Sequence, residues 1–335
     1  MPHFMVELLR TNFGDILNLF EENAILGILQ NNKSPSLNPP METVIHAEDK
    51  IILLAKDDDQ IFLTDFEGER INFGSIRNFS SVSAKPEKIL ILGWNSRANK
   101  LLLEMDHYIP KDSQIQILLT NSLVESSDSI EDIELANAQI KILNGNTTDR
   151  DQLIRLDLST FDHIILLSFS DRLSQQMADS KTLISLLHLR DIARKVDGCH
   201  YSILTEMLDV RNLELAEVTK ADDFIVSDRF ISLLISQISE SKALSGVFED
   251  IFNVEGSEIY LKPARNYVEL NTEVNFYTIV ESARRRNEVA IGFRTGKDAT
   301  NQKANYGIVL NPHKSEMKTF SIDDQVIVLS ESFRG

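Results

Sequence analysis

The chain has 335 residues, a length that suggests about two or three domains with sizeable hydrophobic cores. Its 34 lysine and arginine residues are outnumbered by 51 aspartate and glutamate residues, and the net charge of −17 repels phosphate groups, which argues against a nucleic-acid partner. The single cysteine, Cys199, excludes an internal disulfide and a cysteine-based zinc site. No apolar run approaches the roughly 18–20 residues of a membrane-spanning helix, so the sequence as written is typical of a soluble protein.

Short apolar runs alternate with helix-like segments through the middle of the chain. Strands are predicted at residues 88–93, 114–119, 140–143, 163–167 and 201–205. Helices are predicted at residues 98–105, from residue 148 onward, and at residues 180–195. These β–α alternations with short connections predict an α/β fold with a Rossmann-like, doubly wound parallel sheet.

An amphipathic helix is predicted after this sheet. Four apolar side chains recur there at the spacing of one helical face, namely Ile231, Leu234, Ile235 and Ile238. A second short helix is predicted at residues 243–252. The sequence leaves open whether this pair of crossover helices packs on the Rossmann core or on another chain, and the pair is our candidate for the contact between modules. From residue 258 onward, short strands and turns predict a small α+β lobe.

Two parts of the chain repeat the same pattern of strand, Asn-Pro turn, acidic turn and strand. The first copy covers residues 24–55 and the second covers residues 290–330, with Asp49 and Asp324 at corresponding positions. Only the second copy follows a Rossmann lobe, so we expect the sequence to begin part-way through a repeated two-lobe unit of a longer chain. Four segments are predicted. Residues 1–82 form the small lobe of a first, truncated module, and residues 83–228 form a Rossmann-like lobe. Residues 229–255 form the crossover helices, and residues 256–335 form a second small lobe.

The first predicted strand ends in a turn where a dinucleotide would bind in a Rossmann fold. The stretch from Gly93 to Ala98 keeps only the first glycine of the G-x-G-x-x-G fingerprint. Asn95 tolerates a positive φ, but the second strand ends at Thr120 instead of an acidic residue. A Rossmann sheet without a bound cofactor is therefore favoured over a dinucleotide site. The candidate residues for a nucleotide or ligand cleft are Gly93, Asn95, Ala98, Thr120 and Asn144.

Residue patterns that carry catalysis are sparse. The seven histidines show no metal-binding spacing, and the sequence contains neither a G-x-S-x-G nucleophile elbow nor a G-x-x-x-x-G-K-[ST] phosphate loop. Cys199 lies in a predicted turn, where a neutral thiol is favoured over a catalytic thiol. We therefore predict that the chain is not an enzyme.

Acidic clusters are the remaining candidates for binding a cation. Ca²⁺ prefers several carboxylate and carbonyl oxygens that converge from loops. None of the clusters has the spacing of an EF-hand, so solvated acidic turns are the alternative interpretation. The candidate metal ligands are Asp57, Asp58, Asp59, Asp222 and Asp223.

The Rossmann part of the sequence resembles the regulatory RCK (TrkA-N) domains of ion channels and transporters. Residues 144–149, 153–156 and 161–168 resemble the strand, G-D-x-T turn, helix and following strand of those domains. The ending at residues 323–329 is similar to their C-terminal subdomain. More specifically, four stretches resemble the Castor/Pollux family of ion channels, at residues 88–94, 221–229, 256–263 and 289–293.

This resemblance implies a ligand-controlled gating ring on the cytoplasmic face of a cation channel, with Ca²⁺ as the leading ligand. It further implies two RCK modules per subunit, four subunits per ring, and a membrane pore in a missing N-terminal part of the same chain. No motif in the sequence places the family's ion-binding residues.

Two other functions follow from the same fold. A nucleotide-binding regulatory subunit of a potassium transporter would require a nucleotide at the Gly93 turn. A Rossmann oxidoreductase would require a catalytic base beside the cofactor, and the sequence offers none.

Overall fold

The computed structural model describes residues 11–31, 34–56, 61–64, 70–77, 85–120, 133–196, 201–212, 223–253, 256–299 and 301–331. The chain divides into two compact units. One, here called the small-lobe unit, comprises Met1–Ser83 together with Ser241–Gly335, and the other, the Rossmann unit, comprises Ala84–Glu240.

The helices and strands follow one another in three stretches. The first contains α1 (Phe13–Ile16), β1 (Ala24–Leu29), β2 (Pro35–Leu37) and β3 (Lys50–Leu54). The second contains β4 (Lys88–Leu92), α2 (Ala98–Tyr108), β5 (Ser113–Leu119), β6 (Ala138–Asn144), α3 (Arg150–Arg155), β7 (His163–Leu166), α4 (Gln175–Lys195), β8 (Ser202–Met207), β9 (Asp223–Val226) and α5 (Ser227–Glu240). The third contains α6 (Ala243–Ile251), β10 (Glu258–Pro263), β11 (Glu273–Asn275), α7 (Phe276–Arg284), β12 (Val289–Arg294), β13 (Ile308–Leu310), β14 (Met317–Thr319) and β15 (Gln325–Ser330).

The Rossmann unit is built on a six-stranded sheet in the order β6-β5-β4-β7-β8-β9. All neighbouring strands in it are parallel. Buried apolar residues form one core on each face, because interior strands of a doubly wound sheet are covered on both sides. The strand order reverses direction at β4, which creates the crevice where ligands bind in such folds. The predicted α/β, doubly wound parallel sheet is confirmed.

Two elements of the Rossmann unit differ from the sequence prediction. The run at Asp223–Val226, predicted as the end of the lobe, forms the sixth strand because it pairs in parallel with β8. Helix α4 begins at Gln175, earlier than the predicted residue 180. Its polar first turns are anchored by Asp179, a fully buried residue whose carboxylate accepts hydrogen bonds from the backbone N–H groups of Leu208 (2.9 Å) and Asp209 (3.0 Å).

The small-lobe unit contains two related antiparallel sheets. The first small lobe has the order β2-β1-β3, and the second has the order β10-β15-β12-β13, with β11 and β14 forming a separate pair. One hydrophobic core joins the two lobes, since Phe13 and Ile16 of α1 belong to the same cluster as Ile279 and Val280 of α7. Helix α6 also packs on the first lobe, where the Asp250 carboxylate accepts the N–H of Leu37 at 2.7 Å.

The predicted repeat is confirmed by the strand pairing. Gly27 of β1 lies opposite Leu37 of β2, and Gly292 of β12 lies opposite Leu310 of β13. In both copies the residue after this leucine is an asparagine with a positive φ, namely Asn38 (44°) and Asn311 (52°). Each copy also has an irregularity in the pairing of its first strand just before the glycine.

The acidic turns of the repeat have a structural explanation. Asp49 accepts a hydrogen bond from the N–H of His46 at 2.9 Å, and Asp324 accepts one from the N–H of Ser321 at 2.8 Å. Both carboxylates therefore hold a tight turn ahead of the last strand of their lobe.

The two lobes exchange equivalent hydrogen bonds. The side-chain amide of Asn38 donates to the carbonyl of Asn287 at 2.9 Å, and that of Asn311 donates to the carbonyl of Glu22. Such reciprocity is expected when two copies of one fold pack about a pseudo-twofold axis. No helix in the described ranges is both long enough and apolar enough to cross a membrane.

Candidate ligand cleft and buried charges

The cleft begins where β4 ends at Gly93. This residue has a φ of +97°, and a Cβ atom there would lie 2.3 Å from the carbonyl oxygen of Leu167. Both the backbone conformation and the close approach of the β7 segment require glycine at this position. The turn then enters α2 through residues 94–97.

Asn95 and Glu206 tie this turn to the neighbouring strand ends. The Asn95 side chain is buried, and its Nδ2 donates to the carbonyl of Ser168 (2.9 Å) and to Glu206 Oε2 (3.0 Å). Glu206 Oε2 also accepts the N–H of Ser168 at 2.9 Å, while Oε1 pairs with the guanidinium of Arg97. One carboxylate at the end of β8 therefore connects the β4 turn, the segment after β7 and the start of α2.

The N-terminus of α2 is already paired with a carboxylate from another segment of the chain. The Asp171 carboxylate accepts hydrogen bonds from the backbone N–H of Ser96 and, at 3.2 Å, from the Ser96 hydroxyl. In a dinucleotide-binding Rossmann fold the pyrophosphate takes this position at the helix N-terminus. Because an internal carboxylate occupies it and Asn95 replaces the second glycine, this turn does not fit a pyrophosphate in that manner.

A cavity of about 320 Å³ lies next to this network. Its polar lining residues are Asn95, Arg97 and Glu206, which are linked through the Glu206 carboxylate, and the remaining lining residues are apolar. Its volume and lining suit a small ligand with an apolar body and one polar end. The apolar lining residues are Ala98, Leu101, Ile165, Leu166, Leu167, Leu204, Ile225, Phe230 and Ile231.

The structure brings together three of the five residues predicted for the cleft. Gly93 forms the turn, and Asn95 and Ala98 line the cavity. Thr120 follows β5 and Asn144 ends β6, and neither lines the cavity.

The predicted cation ligands fall largely outside the part of the chain that the structure describes. Asp57, Asp58, Asp59 and Asp222 lie outside the described residues, as does Cys199. The backbone of Asp223 begins β9. Within the described ranges, no three histidine, cysteine, aspartate or glutamate side chains converge as a metal site would require.

The predicted interface residues lie on α5. Ile231 and Ile235 are more than half exposed, at 51% and 60%, and Leu234 and Ile238 are half-buried. Ile231 and its neighbour Phe230 also line the cavity, so the first turns of α5 form one of its walls.

A buried lysine joins the two small lobes. The Lys314 ammonium donates to the carbonyls of Phe20 and Asn23, the latter at 2.6 Å, and only 2% of the residue is exposed. Burial lowers the pKa of Lys314 to about 7, although the nearby Glu21 carboxylate acts in the opposite direction.

A buried ion pair lies inside the second small lobe. Lys262 of β10 donates to Glu288 Oε1 at 2.7 Å, and the hydroxyl of Tyr267 donates to Glu288 Oε2. Burial lowers the pKa of Lys262 and raises the pKa of Tyr267. The pair therefore stays within the core because each charged group has partners there.

Two residues of the cleft were missed by the sequence analysis. Glu206 directly follows the predicted strand 201–205, and Asp171 follows the predicted strand 163–167. Carboxyl ends of parallel strands meet at one edge of a sheet, and that rule applied to these acids would have pointed to the cleft.

The chain is similar in sequence to curated proteins that are named as ion channels. No protein-family model matches it. It is 28% identical to the "Probable ion channel POLLUX" of Oryza sativa subsp. japonica, over 97% of this chain and 36% of that protein. It is 26% identical to the "Ion channel CASTOR" of Lotus japonicus, over 88% of this chain and 37% of that protein. The chain thus spans little more than a third of the length of these curated relatives.

The fold has a counterpart among solved structures. The human SLO3 gating ring matches 96% of this chain and 64% of its own chain, with a TM-score of 0.66 and 12% sequence identity. At that identity the match supports the fold alone, with its Rossmann-like sheet and small antiparallel lobes. The resemblance inferred from the sequence is therefore confirmed: the chain is similar in sequence to the Castor/Pollux ion channels, and its fold is similar to that of the human SLO3 gating ring.

Proposed function

We propose that this chain is the ligand-sensing part of a gating ring that couples ion binding to the opening of a cation channel. The observation that carries the proposal is the sequence similarity to Castor/Pollux ion channels over 97% of the chain. The gating-ring fold adds support. In this proposal the chain has no catalytic role, acts on the cytoplasmic face of a membrane, and works with a pore domain.

The proposed assembly is a ring of four subunits, each contributing two RCK modules. The apolar face of α5 is the proposed contact between modules, because Ile231 and Ile235 are exposed within the unit that contains them. Burying such side chains against another surface is favourable by about 25 cal/mol per Å² of apolar area.

The cleft gives a second small ligand, separate from the proposed cation, a means of acting on α5. Phe230 and Ile231 of α5 form one wall, and Glu206 and Arg97 belong to the polar lining. In this proposal α5 takes two positions, and the ligand fills the cavity in only one of them. The ligand therefore binds that position more tightly and shifts the equilibrium towards it. Movement of α5 would then reach the proposed contact between modules.

The proposed activating ligand is Ca²⁺, bound by the acidic segments of the sequence that contain Asp57, Asp58, Asp59, Asp222 and Asp223. The nucleotide-binding transporter subunit is the weaker candidate, because Asp171 already occupies the N-terminus of α2. Ca²⁺ and nucleotide make different predictions for the thermal stability of the chain, since any ligand that binds only the folded state raises the unfolding temperature.

The test is a thermal melt of the purified chain with and without millimolar Ca²⁺, Mg²⁺, NAD or ATP. We expect Ca²⁺ alone to raise the midpoint, since saturation at about 100 times the Kd stabilises the folded state by about 2.7 kcal/mol. The triple variant Asp57→Asn, Asp58→Asn, Asp59→Asn and the double variant Asp222→Asn, Asp223→Asn should identify the segment that binds. Asp151→Asn, on the exposed first turn of α3, is the control. An equal shift with Mg²⁺, a shift with NAD or ATP, or no shift with any of them would contradict Ca²⁺ sensing.

A further inference from the structure

A small aromatic cavity lies in the second small lobe, apart from the cleft of the Rossmann unit. Its volume is about 110 Å³, the space of three or four water molecules at about 30 Å³ each. Its walls include the rings of Phe276, Phe293 and Phe320, and the centroid of the Phe293 ring lies 6.3 Å and 5.8 Å from those of the other two. The other lining residues are Pro312, His313, Glu316, Met317 and Lys318. The cavity therefore has room for an apolar group of roughly three or four carbon atoms.

Lys318 places a positive charge in this aromatic cavity. Its Nζ lies 4.2 Å from the centroid of the Phe293 ring and 5.6 Å from that of the Phe320 ring. An ammonium can donate three hydrogen bonds, yet within the described ranges this one makes neither a hydrogen bond nor an ion pair. Burial lowers the pKa of Lys318, although the Asp324 carboxylate acts in the opposite direction. The ammonium is therefore partly desolvated and is not paired with an anion.

The internal repeat indicates that folding does not require a charge at this position. The bridge between Asn12 and Val44 corresponds to the pairing of β11 with β14, so Ile45 of the first lobe corresponds to Lys318 of the second. Ile45 is 3% exposed and belongs to the hydrophobic core. Placing a charge where an apolar side chain serves the same fold costs free energy. Lys318 is therefore better explained by a ligand than by the stability of the lobe.

The segment that lines the cavity is held in place without a ligand. The Nδ1 atom of His313 lies 3.5 Å from Glu22 Oε1, and the backbone N–H of Ser315 donates to Glu21 Oε1 at 2.8 Å. Strand β14 follows and pairs with β11. The walls are therefore fixed on both sides, which lowers the entropic cost of binding a small molecule between them.

We propose that this cavity binds a small apolar monocarboxylate. Its carboxylate pairs with the Lys318 ammonium, and its hydrocarbon part contacts the rings of Phe276, Phe293 and Phe320. An amine would be repelled by Lys318, and an inorganic anion would leave the ring surfaces uncovered. Glu316 also lines the cavity, but it is exposed, so water and salt screen its charge more than that of the half-buried lysine.

The test is an NMR titration of the full chain, labelled with ¹³C-lysine, with the straight-chain carboxylates from acetate to hexanoate. Loss of one signal in Lys318→Ile assigns the Lys318 resonance. We expect saturable shifts of this signal, with a Kd that falls by about fourfold for each added CH₂ and levels off near butyrate or pentanoate, when the cavity is full. At saturating butyrate the pKa of Lys318 should rise, because a bound carboxylate favours the charged ammonium.

Matched ligands and variants separate the charge from the apolar contact. Butan-1-ol and butylamine carry the same alkyl group and should bind at least tenfold more weakly than butyrate. Lys318→Ile installs the residue of the first lobe, and saturation transfer from this variant to butyrate protons should be lost. Lys303→Ile removes an exposed lysine that does not line the cavity and should bind as the wild type does.

Three results would overturn the proposal. The first is an affinity that does not depend on chain length, which would indicate an unspecific ion pair, or no saturable shift at tens of millimolar acid. The second is a pKa of Lys318 that does not change at saturating butyrate. The third is undiminished binding to folded Lys318→Ile, and if that variant does not fold, the two measurements on the wild type decide. None of these results bears on Ca²⁺ binding or on the proposed channel function.

Discussion

Lys314 holds the two small lobes together with a cation in a nearly dry interior. Its counterpart in the first lobe is Met41, since the carbonyl of Met41 accepts the N–H of Gly14 (2.9 Å) as the carbonyl of Lys314 accepts that of Tyr277 (3.1 Å). Methionine fills a similar volume without a charge. The internal repeat therefore suggests a substitution that keeps the packing and removes only the ammonium.

We expect Lys314→Met to change the pH dependence of stability. The pKa of Lys314 is lowered to about 7 in the folded state, while an unfolded lysine titrates near its ordinary value, about 10.4. Between these values the unfolded state binds more protons, so the unfolding free energy of the wild type rises with pH, by up to about 1.4 kcal/mol per pH unit. Below about pH 7 both states carry the proton, and the full cost of burying the charge is present.

The measurement is urea unfolding followed by far-UV circular dichroism between about pH 6 and pH 9. The unfolding free energy of the wild type should rise relative to that of Lys314→Met across this range, and relative to Lys303→Met, at an exposed lysine, it should show no such trend. Fluorescence of Trp94, the single tryptophan, reports unfolding of the Rossmann unit. The urea midpoint measured by this fluorescence should be the same for the wild type and for Lys314→Met. A difference that stays constant with pH would contradict the lowered pKa.

At the level of strands, the repeat depends on two glycines that allow close strand packing. A Cβ atom on Gly27 would lie 2.2 Å from the carbonyl oxygen of Ser36, and one on Gly292 would lie 2.3 Å from that of Val309. These contacts are with backbone atoms of the paired strand, which cannot move aside as a flexible side chain can. Both strands would have to separate to admit even one methyl group.

Gly27→Ala and Gly292→Ala should therefore each destabilise the small-lobe unit by about 2 kcal/mol or more, as expected for overpacking in a core. Gly74→Ala is the matched control, because its nearest neighbour would be Asn72 Oδ1 at an ordinary 3.5 Å. The readout is the urea midpoint by circular dichroism. If either of the two strand variants were as stable as the Gly74 variant, the close packing of the repeat would be contradicted.

At the scale of the whole molecule, the apolar face of α5 is the proposed contact through which the chain assembles. Ile235 is 60% exposed, so Ile235→Asp should cost less than about 0.5 kcal/mol of folding stability while placing a charge in the proposed apolar contact. We expect the variant to elute as a smaller species on size exclusion with light scattering. Ser236→Asp adds the same charge at the adjacent exposed position and should assemble as the wild type does. An unchanged mass for Ile235→Asp would remove α5 from the interface.

Local patterns in the sequence determined the fold class and the repeat. Apolar runs alternating with helical periodicity predict a parallel sheet because both faces of its strands are buried. The repeat could be read from Asn-Pro and acidic turns because turn residues act on their immediate neighbours, as Asp49 and Asp324 do. The four-residue strand β9 was missed because its pairing with β8, and not its composition, makes it a strand.

Only the tertiary structure decided which polar groups form the cleft and which charges are buried. Glu206 meets Asn95 and Arg97, and Asp171 meets Ser96, across large separations in sequence that no periodicity encodes. Lys314 is likewise placed against Asn23 by the packing of one lobe on the other. Hydrogen bonds and desolvation depend on distances of a few ångströms between groups that are far apart in sequence. The local pattern predicts the helices and strands, but only their packing in the folded chain sets these distances.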